Sequence, residues 1–263
     1  MGGVPGTALG DQEYLAQFEF RPAILPRMKM NGIAAVSFDA GNTLLYCDPS
    51  PAEIYATHLG RHGRVVEADE VGPVFAEAWA EMQQRTSAGE DRYGSTEGGE
   101  RAWWGGFVRE VLRRLDHDAP WQPLLDDLYD AFCDEQVWKV YDDTLSVLDQ
   151  LQAMGVRLAV TSNWDRRLPQ ILNALHLSER FEVISVSAIE GVEKPAREIF
   201  GRTLAGLDLP PASVLHVGDS PLEDYAGASE AGLRALLIDR KGLFVGEPYE
   251  RVSALTEIPE RLR

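Results

Sequence analysis

The sequence predicts an α/β fold, a parallel sheet with a helical segment inserted after its first strand, and three observations carry that prediction. Short apolar runs at Ile33–Phe38, Arg157–Thr161, Val183–Val186, Val214–Val217 and Ala235–Ile238 have the length and composition of buried strands. Helical patterns separate the last four, and strands that alternate with helices form parallel sheets. A long stretch from Pro51 to about Gln136 carries helical periodicity instead.

Taken in order, IAAVSF (Ile33–Phe38) feeds a turn-forming stretch at Asp39–Asn42. The middle region places Val71, Val74, Phe75, Ala78, Trp79 and Met82 at helical spacing, and likewise Trp104, Phe107, Val108, Val111, Leu112 and Leu115. Leu124, Leu125, Leu128, Tyr129 and Phe132 repeat the pattern, while the glycine, serine and charge of Ser87–Glu100 read as an exposed loop. A helix ending at Met154, with Gly155 as its stop, precedes the second strand. Helices follow near Leu168–Leu175, at Pro195–Leu204 and at Pro221–Glu230, the last opened by proline. The expected organisation is a flexible extension over residues 1–30, a core of 31–47 and 141–240, a helical insertion over 48–140, and a tail, 241–263, packing on the core.

Composition narrows the function. With 44% hydrophobic and 25% charged residues in 263, the chain is globular. Its net charge of −17 repels phosphate backbones and anionic lipid, so neither nucleic acid nor a membrane is expected as a partner. No apolar run approaches the roughly 18 residues of a membrane span. Cys47 and Cys133 have no metal-ligand spacing and read as buried thiols of a cytoplasmic protein. GxSxG, P-loop and HExxH patterns are absent.

In a parallel sheet, sites form at the carboxyl ends of the strands. Asp39 follows the first strand, Ser162-Asn163 the second, Lys194-Pro195 the third, and Gly218-Asp219 the fourth, with Asp224 five residues on. Each is suited to a phosphate or a metal. FDAGNT, TSN, KP and GDSPLED, in that order, resemble the four motifs of the haloacid dehalogenase superfamily of hydrolases. The resemblance implies a Rossmannoid parallel-sheet core with an inserted helical cap of the C1 type, and covers roughly Ile33–Ile238. It implies Asp39 as nucleophile toward a small phosphorylated molecule, through an aspartyl phosphate. It further implies Mg²⁺ held by Asp39, Asp219 and the Gly41 carbonyl, with Asp224 holding metal-bound water or orienting Lys194. Thr43, Ser162 and Asn163 would donate to substrate, and Lys194 would supply positive charge.

One position departs from the pattern. Two residues after the nucleophile, phosphatases of the superfamily usually carry an aspartate that protonates the leaving group; here it is Gly41. Such an acid–base typically contributes about 10²–10⁴ in rate. Three readings therefore stand side by side: a Mg²⁺-dependent phosphatase, a carbon-centre hydrolase of dehalogenase or phosphonatase type, and a binding protein that keeps the fold.

Other residues have simpler readings. His58 and His62 sit four apart without a third ligand and read as surface residues. Of Trp103 and Trp104, one is expected inside the helical segment and the other toward a cleft. Arg166 and Arg167 could meet a substrate anion or pair with surface acids.

Overall fold

All four side chains of the first strand, β1 (Ala35–Phe38), are buried, as a strand covered on both faces requires. The computed structural model describes residues 30–84, 91–94, 98–117 and 121–263, so the expected N-terminal extension lies outside the described residues except for Met30. The described chain groups into two compact units: residues 47–84 and 92–138, and residues 30–46, 91 and 139–263.

After β1 comes β2 (Leu45–Cys47), then four helices, α1 (Pro51–Arg61), α2 (Ala68–Gln84), α3 (Gly99–Arg114) and α4 (Trp121–Ala131), then β3 (Trp138–Val140). β2 and β3 pair as a two-stranded ribbon. α1 starts where it does because Ser50 and Glu53 form a reciprocal cap, with Glu53 N donating to Ser50 Oγ and Ser50 N to Glu53 Oε2, and Pro51 occupies the first position. The helical unit is held by aromatic rings. Phe107 on α3 meets Phe75 and Trp79 on α2 edge-to-face, at centroid separations of 5.0 and 5.6 Å.

In the second unit, β4 (Arg157–Ser162), β5 (Val183–Val186), β6 (Val214–Gly218), β7 (Arg234–Ile238) and β8 (Arg251–Val252) alternate with α5 (Thr144–Ala153), α6 (Leu168–Ala174), α7 (Ser187–Glu190), α8 (Arg197–Leu207) and α9 (Gly227–Glu230), and α10 (Ile258–Arg261) closes the chain. The sheet order is β5-β4-β1-β6-β7-β8. All neighbours are parallel. The chain lays β4 and β5 on one side of β1 and then crosses to lay β6, β7 and β8 on the other. That reversal leaves a crevice outside the carboxyl ends of β1, β4 and β6. Beneath it, Ile199 and Phe200 of α8 pack with Val214, Tyr225 and Leu237.

The structure corrects some of these expectations and adds detail to others. The helix expected from Pro195 starts at Arg197, because Lys194 and Pro195 form the turn before it. The helix expected at Pro221–Glu230 opens as a wide π-helical turn over Pro221–Ala226. The segment after residue 240 adds the edge strand β8, and Asp239 accepts from Leu243 N and Phe244 N (2.7 and 3.1 Å) to fold the loop leading to it. Within Ser87–Glu100, Asp91, Arg92 and Tyr93 are buried rather than exposed, the Tyr93 ring 5.1 Å from that of Trp103; residues 87–90 and 95–97 lie outside the described residues. His58 is buried on α1 rather than at the surface, and His62 bonds Asp127 at 2.8 Å. Cys47 and Cys133 are free and only partly buried. Trp103 is buried and Trp104 partly so. Among the described residues, no helix is long and apolar enough to cross a membrane.

Candidate active site

Asp39 is the first residue past β1, at the reversal point. Its backbone N–H continues the ladder to Val217 O of β6 (2.9 Å), which fixes where its side chain leaves the sheet. The chain then turns sharply: Leu44 N and Leu45 N both donate to Ala40 O, and Asn42, at φ 53°, donates to Leu45 O. Gly41 lies in that turn, bridged to Leu45. Thr43 is fully buried there, and its Oγ1 has no partner among the described residues. Its carbonyl accepts from Arg240 Nη2 (2.8 Å). Arg240 is itself clamped by both oxygens of Asp143 and stacked over Tyr141, 3.8 Å from the ring centroid.

Lys194 brings the motifs together. Its ammonium, 1% exposed, donates to Asp39 Oδ1 at 2.7 Å and to Asp224 Oδ1 at 2.5 Å. Asn163 fixes its backbone reciprocally: Lys194 N donates to Asn163 Oδ1 (2.7 Å) and Asn163 Nδ2 to Lys194 O (2.9 Å). Asn163 thus bonds the turn that aims the lysine. Ser162, the last residue of β4, is buried beside Asp39 and favours its ionised carboxylate.

Asp224 reaches back from the π-helical turn. Its Oδ2 accepts from Ser220 N (2.9 Å), and its Oδ1 accepts from His216 Nε2 (3.0 Å) as well as from Lys194. Gly218 is glycine for this reason, since a Cβ there would lie 2.1 Å from Asp224 Cγ. Asp219, directly after β6, completes an acidic group: Asp39, Asp219 and Asp224 each offer a carboxylate oxygen within 4.8 Å of the others.

The electrostatics follow from burial and from the close pairing of these groups. Burial pushes the Asp39 carboxyl up to about 6; Lys194 opposes the rise and Asp224 adds to it. Burial would also raise Asp224, but Lys194 and His216 outweigh it and hold that carboxyl well below its usual range. For Lys194, burial favours the neutral amine, yet Asp224 and Asp39 hold the ammonium firmly charged. His216 is pulled down by burial, with Asp224 opposing.

Sequence reasoning did not single out His216, which continues a buried polar line across the sheet. His216 Nδ1 lies 3.2 Å from Ser37 Oγ, Ser37 Oγ 2.7 Å from Thr161 Oγ1, and Thr161 Oγ1 2.7 Å from Thr203 Oγ1, which donates to Ser185 Oγ (3.0 Å). The available signal was a lone histidine in a strand too buried to leave it unpartnered. Arg167, one of the two arginines considered for a substrate anion, is buried against Asp165, with Nε and Nη2 donating at 2.9 and 2.5 Å; Arg166 is exposed.

The profile of the haloacid dehalogenase-like hydrolases matches residues 33–232. The chain belongs to this family, and it is a hydrolase. It is 32% identical over 235 residues to haloacid dehalogenase-like hydrolase domain-containing protein 3 of Danio rerio, covering 87% of this chain and 96% of that one. It is 31% identical over 211 residues to ribulose-1,5-bisphosphate 5-phosphatase of Halopiger xanaduensis, covering 78% and 84%. Among solved structures, the HAD-hydrolase YfnB of Bacillus subtilis, bound to magnesium, superposes with a TM-score of 0.68 at 17% identity over 88% of this chain and 99% of that one, a likeness of fold.

Proposed function

We propose that the chain is a Mg²⁺-dependent phosphatase that acts on a small phosphorylated molecule through an aspartyl phosphate on Asp39. The observation that carries this reading is the acidic cluster: Asp39, Asp219 and Asp224 each bring a carboxylate oxygen within 4.8 Å of the others at the carboxyl ends of β1 and β6. The donor set is all oxygen, which suits a hard divalent cation, and Asp39, Asp219 and Asp224, with the Gly41 carbonyl nearby, are the groups that would hold or adjoin it. Bound there, Mg²⁺ would supply charge neutralisation to the nucleophile and the phosphoryl oxygens. The relative named as a ribulose bisphosphate phosphatase supports the same reaction class, and the net charge of −17 gives nucleic acid and anionic lipid no foothold.

The chain's own residues divide the work. Asp39 attacks phosphorus, the bond to the leaving oxygen breaks with its electron pair, and water later attacks the same phosphorus to release phosphate and restore the carboxylate. Lys194 holds the Asp39 oxygen and offsets phosphoryl charge. Thr43 Oγ1, without a partner among the described residues, and Ser162 offer donors to phosphoryl oxygens, while Asn163 and Asp224 position the lysine. The test is a panel of phosphate esters, phosphonates and 2-haloacids with Mg²⁺, run beside Asp39→Asn. Turnover of phosphate esters that Asp39→Asn abolishes is the expected result, and Asp39-dependent release of halide instead would overturn it.

A further inference from the structure

Gly41 is not glycine for its backbone, whose φ lies outside the left-handed region; an ordinary residue could adopt it. What a side chain there meets is Trp164. A Cβ at position 41 would stand 3.3 Å from Trp164 Cζ3, and apart from chain neighbours no other described heavy atom lies within 4 Å of it. Such a contact is tight enough that the indole must move to admit one carbon.

The backbone that carries the indole is anchored. Trp164 follows Ser162 and Asn163 directly, so it leaves the same turn that touches Asp39 and Lys194. Its backbone is tied to α7 three times: its N–H lies 3.1 Å from Ser187 Oγ, Ser187 Oγ donates to its carbonyl (3.1 Å), and Ala188 N donates to that carbonyl (3.2 Å). Retreat by the backbone is opposed.

We propose that Trp164 is the specificity-determining residue of the site: its indole fills the volume beside Asp39 that a side chain at 41 would need, and so keeps a proton donor out of it. The inference rests on the phosphatase reading. With no donor there, the leaving oxygen departs with the bond's electron pair as an anion and is protonated afterwards by water. The substrate class is therefore phosphate esters of acidic hydroxyls, aryl or enol phosphates, or acyl phosphates, rather than alkyl phosphates.

Two measurements test it. In thermal unfolding, Gly41→Ala should lower Tm by roughly 2–4 °C in the parent chain and by much less in a Trp164→Ala background. Equal losses in both would overturn the packing argument. In turnover with Mg²⁺, Gly41→Asp alone should barely change the ratio of ethyl phosphate to phenyl phosphate rates. Gly41→Asp with Trp164→Ala should raise that ratio at least about tenfold. If this double variant fails to fold, Gly41→Asp with Trp164→Phe carries the same comparison. A single Gly41→Asp change that matches the double variant, or a double variant that turns over phenyl phosphate with an unmoved ratio, would overturn the assignment. A parent chain with no Asp39-dependent phosphate hydrolysis would instead overturn the phosphatase reading, and the assignment with it.

Discussion

Lys194 Nζ is 2.7 Å from Asp39 Oδ1, an ion pair that joins the carboxyl end of the central strand to the turn before α8 across 155 residues of sequence. The same ammonium is the closest counter-charge of Asp224. Removing one partner of a buried ion pair strands the other, at about 3–5 kcal/mol. Lys194→Met, which keeps the stem volume, is therefore expected to lower unfolding free energy by about that much and to abolish turnover, as read by denaturant titration and by assay. A loss under about 1 kcal/mol would mean that the carboxylates find other partners.

Divalent metal should stabilise the fold in a pH-dependent way. Asp39 titrates at about 6, above its ordinary 3.8, so the folded chain holds that proton more tightly than the unfolded one. Without metal, this group's contribution to stability is greatest at low pH and is lost as pH rises from about 4 through about 6. A cation requires the ionised form, so Mg²⁺ affinity should fall about tenfold from pH 7.5 to pH 5. At a hundred times its dissociation constant, Mg²⁺ should add about 2.7 kcal/mol at neutral pH. Asp219→Asn should remove most of that gain, and calorimetry with thermal unfolding in Mg²⁺ and in EDTA reads both effects.

His216 should matter to stability through both ring nitrogens. His216→Phe removes the donor to Asp224 and the partner of Ser37 in a dry strand, an expected loss of about 1–3 kcal/mol. His216→Gln, which can still donate to Asp224, should lose less. Equal losses for the two, in denaturant titrations, would show that the bond to Asp224 contributes little.

The Arg240 clamp should govern the nucleophile's loop. Arg240 grips Asp143 with two nitrogens while donating to the Thr43 carbonyl, and a planar fork makes that geometry where an ammonium cannot. Arg240→Lys should reduce kcat by at least about tenfold with a smaller change in Tm than Lys194→Met produces. An unchanged kcat would show that the loop keeps its shape without the clamp.

Much of the core was legible because each strand is a short apolar run that ends on a polar residue, and those endings converge in the structure as their spacing suggested. The parts that were not legible share physical causes. His216 and Arg240 are single polar residues whose importance depends on partners far off in sequence. Gly218 has no sequence signal beyond its type, because what demands glycine there is the Asp224 carboxylate packed against it. β8 is two residues long, too short to show a period. Asp91–Tyr93 sits in a polar stretch, and its burial comes from ring packing that composition does not reveal.

The placement of β1 also bears on how the chain is made. This strand is made before every strand it pairs with, and Ser37 must wait 124 residues for Thr161 and 179 for His216. Such long-range closure slows folding. Until β4 and β6 emerge, AVSF is an unpaired apolar segment with both edges open, the kind of intermediate that self-associates. Recovery of soluble protein should therefore depend on how slowly the ribosome runs and on chaperone supply while the helical segment is being translated.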